Sequence, residues 1–346
     1  MIKYLGSKRL LLPLITGVVN AIPDAHSVID LFSGTSRVGH ALKAEGFQVF
    51  SNDLNTYAAT LARCYVQADR ERHARMAQTL LDEFGRLPGK AGYFTETFCV
   101  QSRFFQPKNG EKIDAIRDAI AAKGLEPELE AVVLVSLMEA ADRVDSTTGV
   151  QMAYLKKWAA RSHQPLSLRL PNILPRAAAG AGRAHQMDAL AAAQQLRADV
   201  AYLDPPYNQH KYLSNYHIWE TLVRWDAPEQ YGVACKRVDC RERKSPYNSR
   251  PRARAAFERL IEAIQARVLV VSFNNEGFLP RSDMEEMLKK RGHVQVIERD
   301  FRRYVGAQIG VYNPGGKKVG TTSHLRNKEF VYVASAEPLT LSAVGS

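Results

Sequence analysis

Apolar and polar positions alternate in two different rhythms along this chain. Val28 to Phe32 is a short apolar run ending in Ser33-Gly34-Thr35-Ser36, and Arg37 to Glu45 then carries helical periodicity closed by Gly46. Gln48 to Ser51 is a second short strand ending at Asn52-Asp53, so residues 28–53 predict a βαβ unit with a parallel strand pair. Strand-like sequence returns at Ala198 to Leu203, Arg267 to Phe273, His293 to Ile297 and Glu329 to Ala334, with Leu260 to Ala266 and Asp283 to Arg291 helical between them. A polar, Gly-rich segment without helical pattern joins the last two strands, which predicts an antiparallel hairpin closing a mainly parallel α/β sheet.

Between these strands the rhythm is helical. Residues 56–83 predict helix, Gly85 to Gly92 breaks the pattern, Glu111 to Lys123 places Ile113, Ile116 and Ile120 on one face, and Pro127 to about Arg143 is a more buried helix. No strand pattern appears from 56 to about 165, and Ala177 to Ala184 is a small Ala/Gly linker. The expected organisation is an α/β domain built from 1–55 and 185–334, an inserted mainly helical subdomain over 56–184, and a frayed, flexible tail over 335–346.

Composition narrows the class. With 346 residues, 45% apolar and 24% charged, the chain is neither collagen-like nor wholly disordered. Cys64, Cys99, Cys235 and Cys240 form no C-x-x-C pair, and no His pair stands nearby at zinc spacing, so neither a disulfide scaffold nor a structural metal is expected. Lys3, Lys8 and Arg9 before the apolar run Leu10 to Val19 imitate a secretory signal, but Pro13 interrupts the run and no small-x-small cleavage site follows. No other stretch approaches the roughly 18 apolar residues that span a bilayer. A cytoplasmic protein without membrane attachment is expected.

Three places carry chemistry. Asp30 to Gly39 lies at the carboxyl end of the first strand, where open α/β sheets bind ligands, and Gly34 lets backbone approach one; a glycine turn of any βα unit is the competing reading. Asp53 ends the next strand, where a carboxylate can accept from both ribose hydroxyls of a nucleoside, or simply stand in solvent. Asp204-Pro205-Pro206-Tyr207 follows the strand Ala198 to Leu203 directly. Two prolines lack amide donors and fix φ, so they hold the Asp204 carboxylate and the Pro205 carbonyl as a rigid acceptor pair beside an aromatic ring. Such an array suits a planar amine: each acceptor takes one hydrogen of an exocyclic NH2 while Tyr207 stacks on the ring.

With these motifs the chain resembles the Dam-type N6-adenine DNA methyltransferases over most of its length. Lys3-Tyr-Leu-Gly-Ser-Lys8 is similar to their N-terminal cofactor motif, Asp30 to Gly39 to their glycine motif, and Asp204 to Tyr207 to their catalytic tetrapeptide, in the same order and with a long insertion before the tetrapeptide. The resemblance implies a Rossmann-like methyltransferase sheet with S-adenosyl-L-methionine as cofactor. Tyr4 and Lys8 would contact it, Lys8 near its carboxylate; Asp30, Phe32, Ser33 and Gly34 would shape the methionine end; Asp53 would hold the ribose. Asp188 would lie near the cofactor's adenine, with a plain surface acid as the alternative, and Asp204 would border the cofactor as well as the base. Tyr4 stands where some relatives carry Trp, and Ser36 where Gly is frequent. Asn274, in Ser272-Phe-Asn-Asn-Glu-Gly277, would line the base pocket. The insertion would hold part of the target-recognition surface, including Arg103-Phe-Phe-Gln-Pro107 and Asp142-Arg-Val-Asp145, although Phe104 and Phe105 equally suit a core.

The charge is uneven. The net charge is +11. Lys236, Arg237, Arg241, Arg243, Lys244, Arg250, Arg252 and Arg254 face only Asp239 and Glu242 within their own segment. Arg299, Arg302, Arg303, Lys317, Lys318, Arg326 and Lys328 face only Asp300. Interleaved with Tyr247, Tyr304 and Tyr312, these runs predict phosphate contacts. The expected activity is therefore transfer of a methyl group to the N6 amino group of an adenine flipped out of double-stranded DNA. A monomer is expected, with a cognate restriction endonuclease acting on the same site but not necessarily in contact. The same tetrapeptide serves RNA base methyltransferases, and a catalytically silent nucleic-acid binder is the other alternative. The N-terminal motif and the large insertion favour DNA, and Asp rather than Asn before Pro-Pro-Tyr argues against a glutamine substrate.

Overall fold

The computed structural model describes residues 1–302, 311–312, 318–320 and 326–341, with side chains described up to residue 300 and from 328 to 341. Seven strands form one sheet: β1 (Ser27–Asp30), β2 (Gln48–Asn52), β3 (Arg183–His185), β4 (Arg197–Leu203), β5 (Gln265–Asn274), β6 (His293–Arg302) and β7 (Arg326–Ser335). Their order is β3-β2-β1-β4-β5-β7-β6. The first five are mutually parallel, and β7 enters antiparallel between β5 and β6. The predicted Rossmann-like sheet with its terminal antiparallel hairpin is thus the observed one.

Both sheet faces are covered, which explains the nearly continuous apolar strands. Val200 and Tyr202 of β4, with Val268 and Val270 of β5, pack with the helices Leu12–Asn20 and Arg37–Ala44. The alternate residues Ala201, Leu203, Leu269 and Val271 pack with Ala189–Gln195, Arg250–Ala263 and Arg281–Lys289. A third core lies in the insertion, where Ile113, Ile116 and Ile120 of Pro107–Lys123 meet Pro127–Val144 and where Phe104 and Phe105 are buried. Ile218, Trp219 and Leu222, from the helix His217–Arg224 beyond the tetrapeptide, belong to that same core.

Several elements differ from expectation for reasons of tertiary contact. The helix predicted over 56–83 is two, Thr56–Ala62 and Arg70–Arg86, separated by the π turn Arg63–Gln67. The buried Lys43 ammonium holds the break by donating to the Ala68 carbonyl at 2.8 Å and to Asp69 at 2.9 Å. The helix expected at Leu260 to Ala266 runs instead over Arg250–Ala263, and β5 has begun by Gln265. The supposed linker ends in β3, paired parallel to β2. A side chain at Gly182 would come within 2.5 Å of the Val66 carbonyl, so glycine lets that edge close. In the expected frayed tail, Leu339 and Leu341 pack against the sheet and the Leu339 carbonyl accepts from the Gln295 side chain. Among the described residues no helix is long and apolar enough to cross a membrane.

Candidate active site

The winding of the sheet reverses between β1 and β4, and a cleft of about 500 Å³ opens outside the carboxyl ends of these strands. It gathers Tyr4, Lys8, Asp30, Phe32, Ser33, Gly34, Asp53, Asp188 and Asp204, which the sequence scatters over two hundred residues.

The turn after β1 is built around two carboxylates. Asp30 accepts from the Gly39 amide at 3.1 Å, and Asp53 accepts from the Gly34 amide at 3.0 Å and the Asn55 amide at 2.9 Å. Burial raises both: Asp30 to about 7 despite the Gly39 amide, and Asp53 to about 6 despite the amides of Asn55 and Gly34. Gly34 has φ +49, and a Cβ there would meet the Tyr4 ring at 3.3 Å. Ser36, in the place where glycine is frequent, takes the same left-handed region at φ 57. Two buried oxygens at this end, Asp30 Oδ1 and Ser33 Oγ, have no hydrogen-bond partner among the described residues. Unpaired buried acceptors beside glycine backbone fit an amino acid's ammonium, and Asp53 fits vicinal hydroxyls; the cofactor expected from the motifs therefore suits the residues present.

Tyr4 is sandwiched between Tyr216, with ring centroids 4.5 Å apart, and Tyr212, at 5.3 Å, and its hydroxyl meets that of Tyr57 at 3.2 Å. Its orientation is thus set by residues that follow the tetrapeptide. Asp188 stands exposed at the N-terminus of Ala189–Gln195, accepting from the Leu190 amide, with its side chain at the cleft.

The tetrapeptide lies on the neighbouring wall. Lys8 Nζ is 3.2 Å from Asp204 and 3.4 Å from Glu329 on β7. Burial by itself would lower the Lys8 ammonium, but Asp204 and Glu329 outweigh it and hold the group well above its ordinary value. Burial pushes the Asp204 carboxyl up to about 6, with Lys8 opposing and Glu329 adding. The Tyr207 ring meets Phe273 edge-on at 5.5 Å and its carbonyl accepts from the Phe278 amide at 2.8 Å; burial raises its hydroxyl, and the neighbouring Asn274 side chain partly opposes that rise. Asn274 is buried beside Tyr207 and accepts from the Glu276 amide. Sequence reasoning missed Glu329, Tyr212 and Tyr216, none of which sits in a recognisable motif.

The predicted phosphate contacts divide. Arg237 is buried and bonded to Asp226 at 2.7 Å through both terminal nitrogens and to Asp239 at 3.2 Å, so acidic partners occupy the donors expected to meet phosphate. Tyr247 is buried against Phe32 at 5.4 Å and lines the cleft. Arg243 stands 3.6 Å from the buried Glu220. Lys236 is half-buried, Lys244 is exposed at the cleft rim, and the exposed Arg241 covers the Tyr231 ring at 3.7 Å. Arg103 lies over the Trp158 ring at 4.8 Å on the insertion. The backbone of Arg302 and Lys318 is in strands but their side chains, with Arg303, Lys317 and Tyr304, lie outside the described residues, as does the Tyr312 side chain.

The profile of the D12 class N6 adenine-specific DNA methyltransferases matches residues 4–279. The chain is 30% identical over 326 residues to the modification methylase StsI of Streptococcus sanguinis, covering 89% of this chain and 49% of the relative. It is 29% identical to the type II methyltransferase M.NlaIII of Neisseria lactamica, covering 87% of this chain and 90% of the relative. For M.FokI of Planomicrobium okeanokoites the figures are 31%, 87% and 49%. The chain thus spans about half the length of StsI and M.FokI and nearly all of M.NlaIII.

Proposed function

Because the chain belongs to the D12 class of N6 adenine-specific DNA methyltransferases, we propose that it moves the methyl group of S-adenosyl-L-methionine to the N6 amino group of an adenine flipped out of duplex DNA. The observation that carries this reading is the shared cleft: the Asp30–Gly34 turn and Asp53 line it together with Asp204 and Pro206 of the tetrapeptide. When bound, the cofactor supplies an electrophilic methyl group on a sulfonium. Asp30 and Asp53 hold its polar ends.

The adenine amine is a weak nucleophile because its lone pair is delocalised into the ring. Asp204 and the Pro205 carbonyl each accept one of its hydrogens, which localises that lone pair, and Tyr207, held by Phe273 and by the Phe278 amide, stacks on the base. Transfer leaves one proton to be lost, and the Asp204 carboxyl, at about 6, is basic enough to take it or to pass it to water. Flipping costs a few kcal/mol, repaid by stacking and by backbone contacts. Lys244 at the cleft rim, Arg241 over the Tyr231 ring and Arg103 over the Trp158 ring are the described cations assigned to that grip. A restriction endonuclease of the same target sequence is the expected functional partner.

The test is tritiated methyl transfer to unmethylated duplex DNA, with structured RNA beside it. Label on adenine N6 of the duplex is expected, and Asp204→Asn should lower transfer about 10²-fold or more while cofactor binding survives. Label confined to RNA or to cytosine, or an undiminished variant, overturns the reading.

A further inference from the structure

Glu329 lies outside the matched segment 4–279, yet its carboxylate shares the Lys8 ammonium with Asp204. It sits on β7 directly opposite Asn274 of β5, which neighbours Tyr207. The register of β7 against β5 thus brings Glu329 to the tetrapeptide, which it reaches through Lys8.

The electrostatics give this arrangement a purpose. A buried lysine paired with Asp204 alone would orient it but would also weaken it as an acceptor, because the same oxygens must take a hydrogen from the substrate amine. A second carboxylate on that lysine divides its attraction. Burying an additional carboxylate beside a pair already balanced in charge costs several kcal/mol of desolvation, so stability gives no reason for it. Resting on the proposed reaction, we infer that Glu329 is a positioning residue: it holds Lys8 between two carboxylates, so that Asp204 is oriented without being neutralised as a hydrogen-bond acceptor.

Asp204 is faced by Lys8 from the N-terminal segment, Glu329 from β7, Asp30 from β1, Tyr202 from β4, and Tyr207 and Tyr212 from the segment that follows. Burial and Glu329 raise its carboxyl and Lys8 lowers it, to about 6 in sum. The ionised form is the competent one, so transfer falls as the pH drops through that value. Removing the Glu329 charge lowers the Asp204 pKa and makes it a weaker acceptor.

Glu329→Gln keeps the shape and removes the charge. Single-turnover methyl transfer, followed from pH 5 to pH 9 with cofactor affinity as the folding control, should change in two opposite senses. The acid limb moves down by about half a unit to one unit, and the plateau rate falls about threefold to tenfold. Glu329→Asp, which keeps the charge, should restore most of the wild-type profile. The carboxyl carbon shift of labelled Asp204 gives a second readout, whose midpoint should fall in Glu329→Gln. If the variant binds cofactor normally but its acid limb and the Asp204 midpoint stay in place, or if Glu329→Asp is no better than Glu329→Gln, the inference is overturned. Wild-type protein that transfers nothing to adenine overturns the reaction reading instead, and the Asp204 midpoint then still decides the coupling.

Discussion

Arg237→Met separates a structural arginine from a DNA-binding one. A guanidinium has five N–H groups, and in Arg237 all are engaged: Nε with Asp239, Nη1 with Asp226 and Thr221, Nη2 with Asp226 and Asp239. Removing one partner of a buried ion pair typically costs about 3–5 kcal/mol. Two observations reduce that figure: the Asp226 and Asp239 side chains are 28% and 21% exposed, and Arg224 remains 3.0 Å from each. The expected loss is therefore about 2–3 kcal/mol at neutral pH. Burial raises the Asp226 carboxyl, but Arg237 more than offsets this and holds it below the ordinary carboxylate range. A carboxylate depressed in the folded state contributes stability above its unfolded pKa and loses it as the pH falls through the folded value. The gap between variant and wild type should accordingly narrow in acid. Urea unfolding at pH 7 and pH 4 reads both effects. The salt dependence of DNA affinity should be unchanged in Arg237→Met, whereas Lys244→Ala should flatten its slope by about 0.9. A variant within about 0.5 kcal/mol of wild type, or one whose slope falls like that of Lys244→Ala, would refute the assignment.

Ser36→Gly should stabilise the protein by about 1 kcal/mol, because a left-handed L-residue costs about 1–2 kcal/mol, glycine's extra unfolded-state freedom returns about 0.5–1, and the buried Ser36 hydroxyl has no partner among the described residues; a lower urea midpoint contradicts this. Cofactor affinity should weaken as the pH falls through about 7, where burial places the Asp30 carboxyl, because only the ionised group attracts an ammonium; calorimetry giving a flat affinity between pH 8 and pH 6 would remove Asp30 from that role.

What the sequence reveals here is what local pattern can encode. The βαβ unit, the tetrapeptide at the end of β4 and the terminal hairpin all rest on short-range periodicity and turn chemistry. The π turn at Arg63–Gln67 was hidden because a distant lysine, Lys43, satisfies the carbonyl it exposes. The helix Arg250–Ala263 was foreshortened because its first turns are arginine-dense, and a charge run has the same appearance in a loop. Tyr212 and Tyr216, which fix Tyr4, sit over two hundred residues from it in an unremarkable segment. Glu329 is one acidic residue in a strand, and only the register of β7 against β5 brings it to Lys8.

The same distinction governs the basic segment 236–254. Counted along the chain, its cations outnumber its acids by six. In space, however, the neutralising acids come from elsewhere: Asp226 for Arg237, Glu220 for Arg243, Asp283 and Glu286 for Arg254. Net charge is conserved by folding, but the charge available to a phosphate is not: Arg237, with all its donors occupied, offers DNA only a screened field. The distinction also has a structural consequence. Arg237 ties the antiparallel ribbon of Gln230–Tyr231 and Lys236–Arg237 to Thr221 on the helix His217–Arg224, and Arg243 pairs at the cleft rim with Glu220, which accepts from the Tyr57 amide and the Thr56 hydroxyl at the start of Thr56–Ala62. These arginines therefore tie the helix His217–Arg224, and through Glu220 the start of Thr56–Ala62, to the wall of the cleft that holds Asp204.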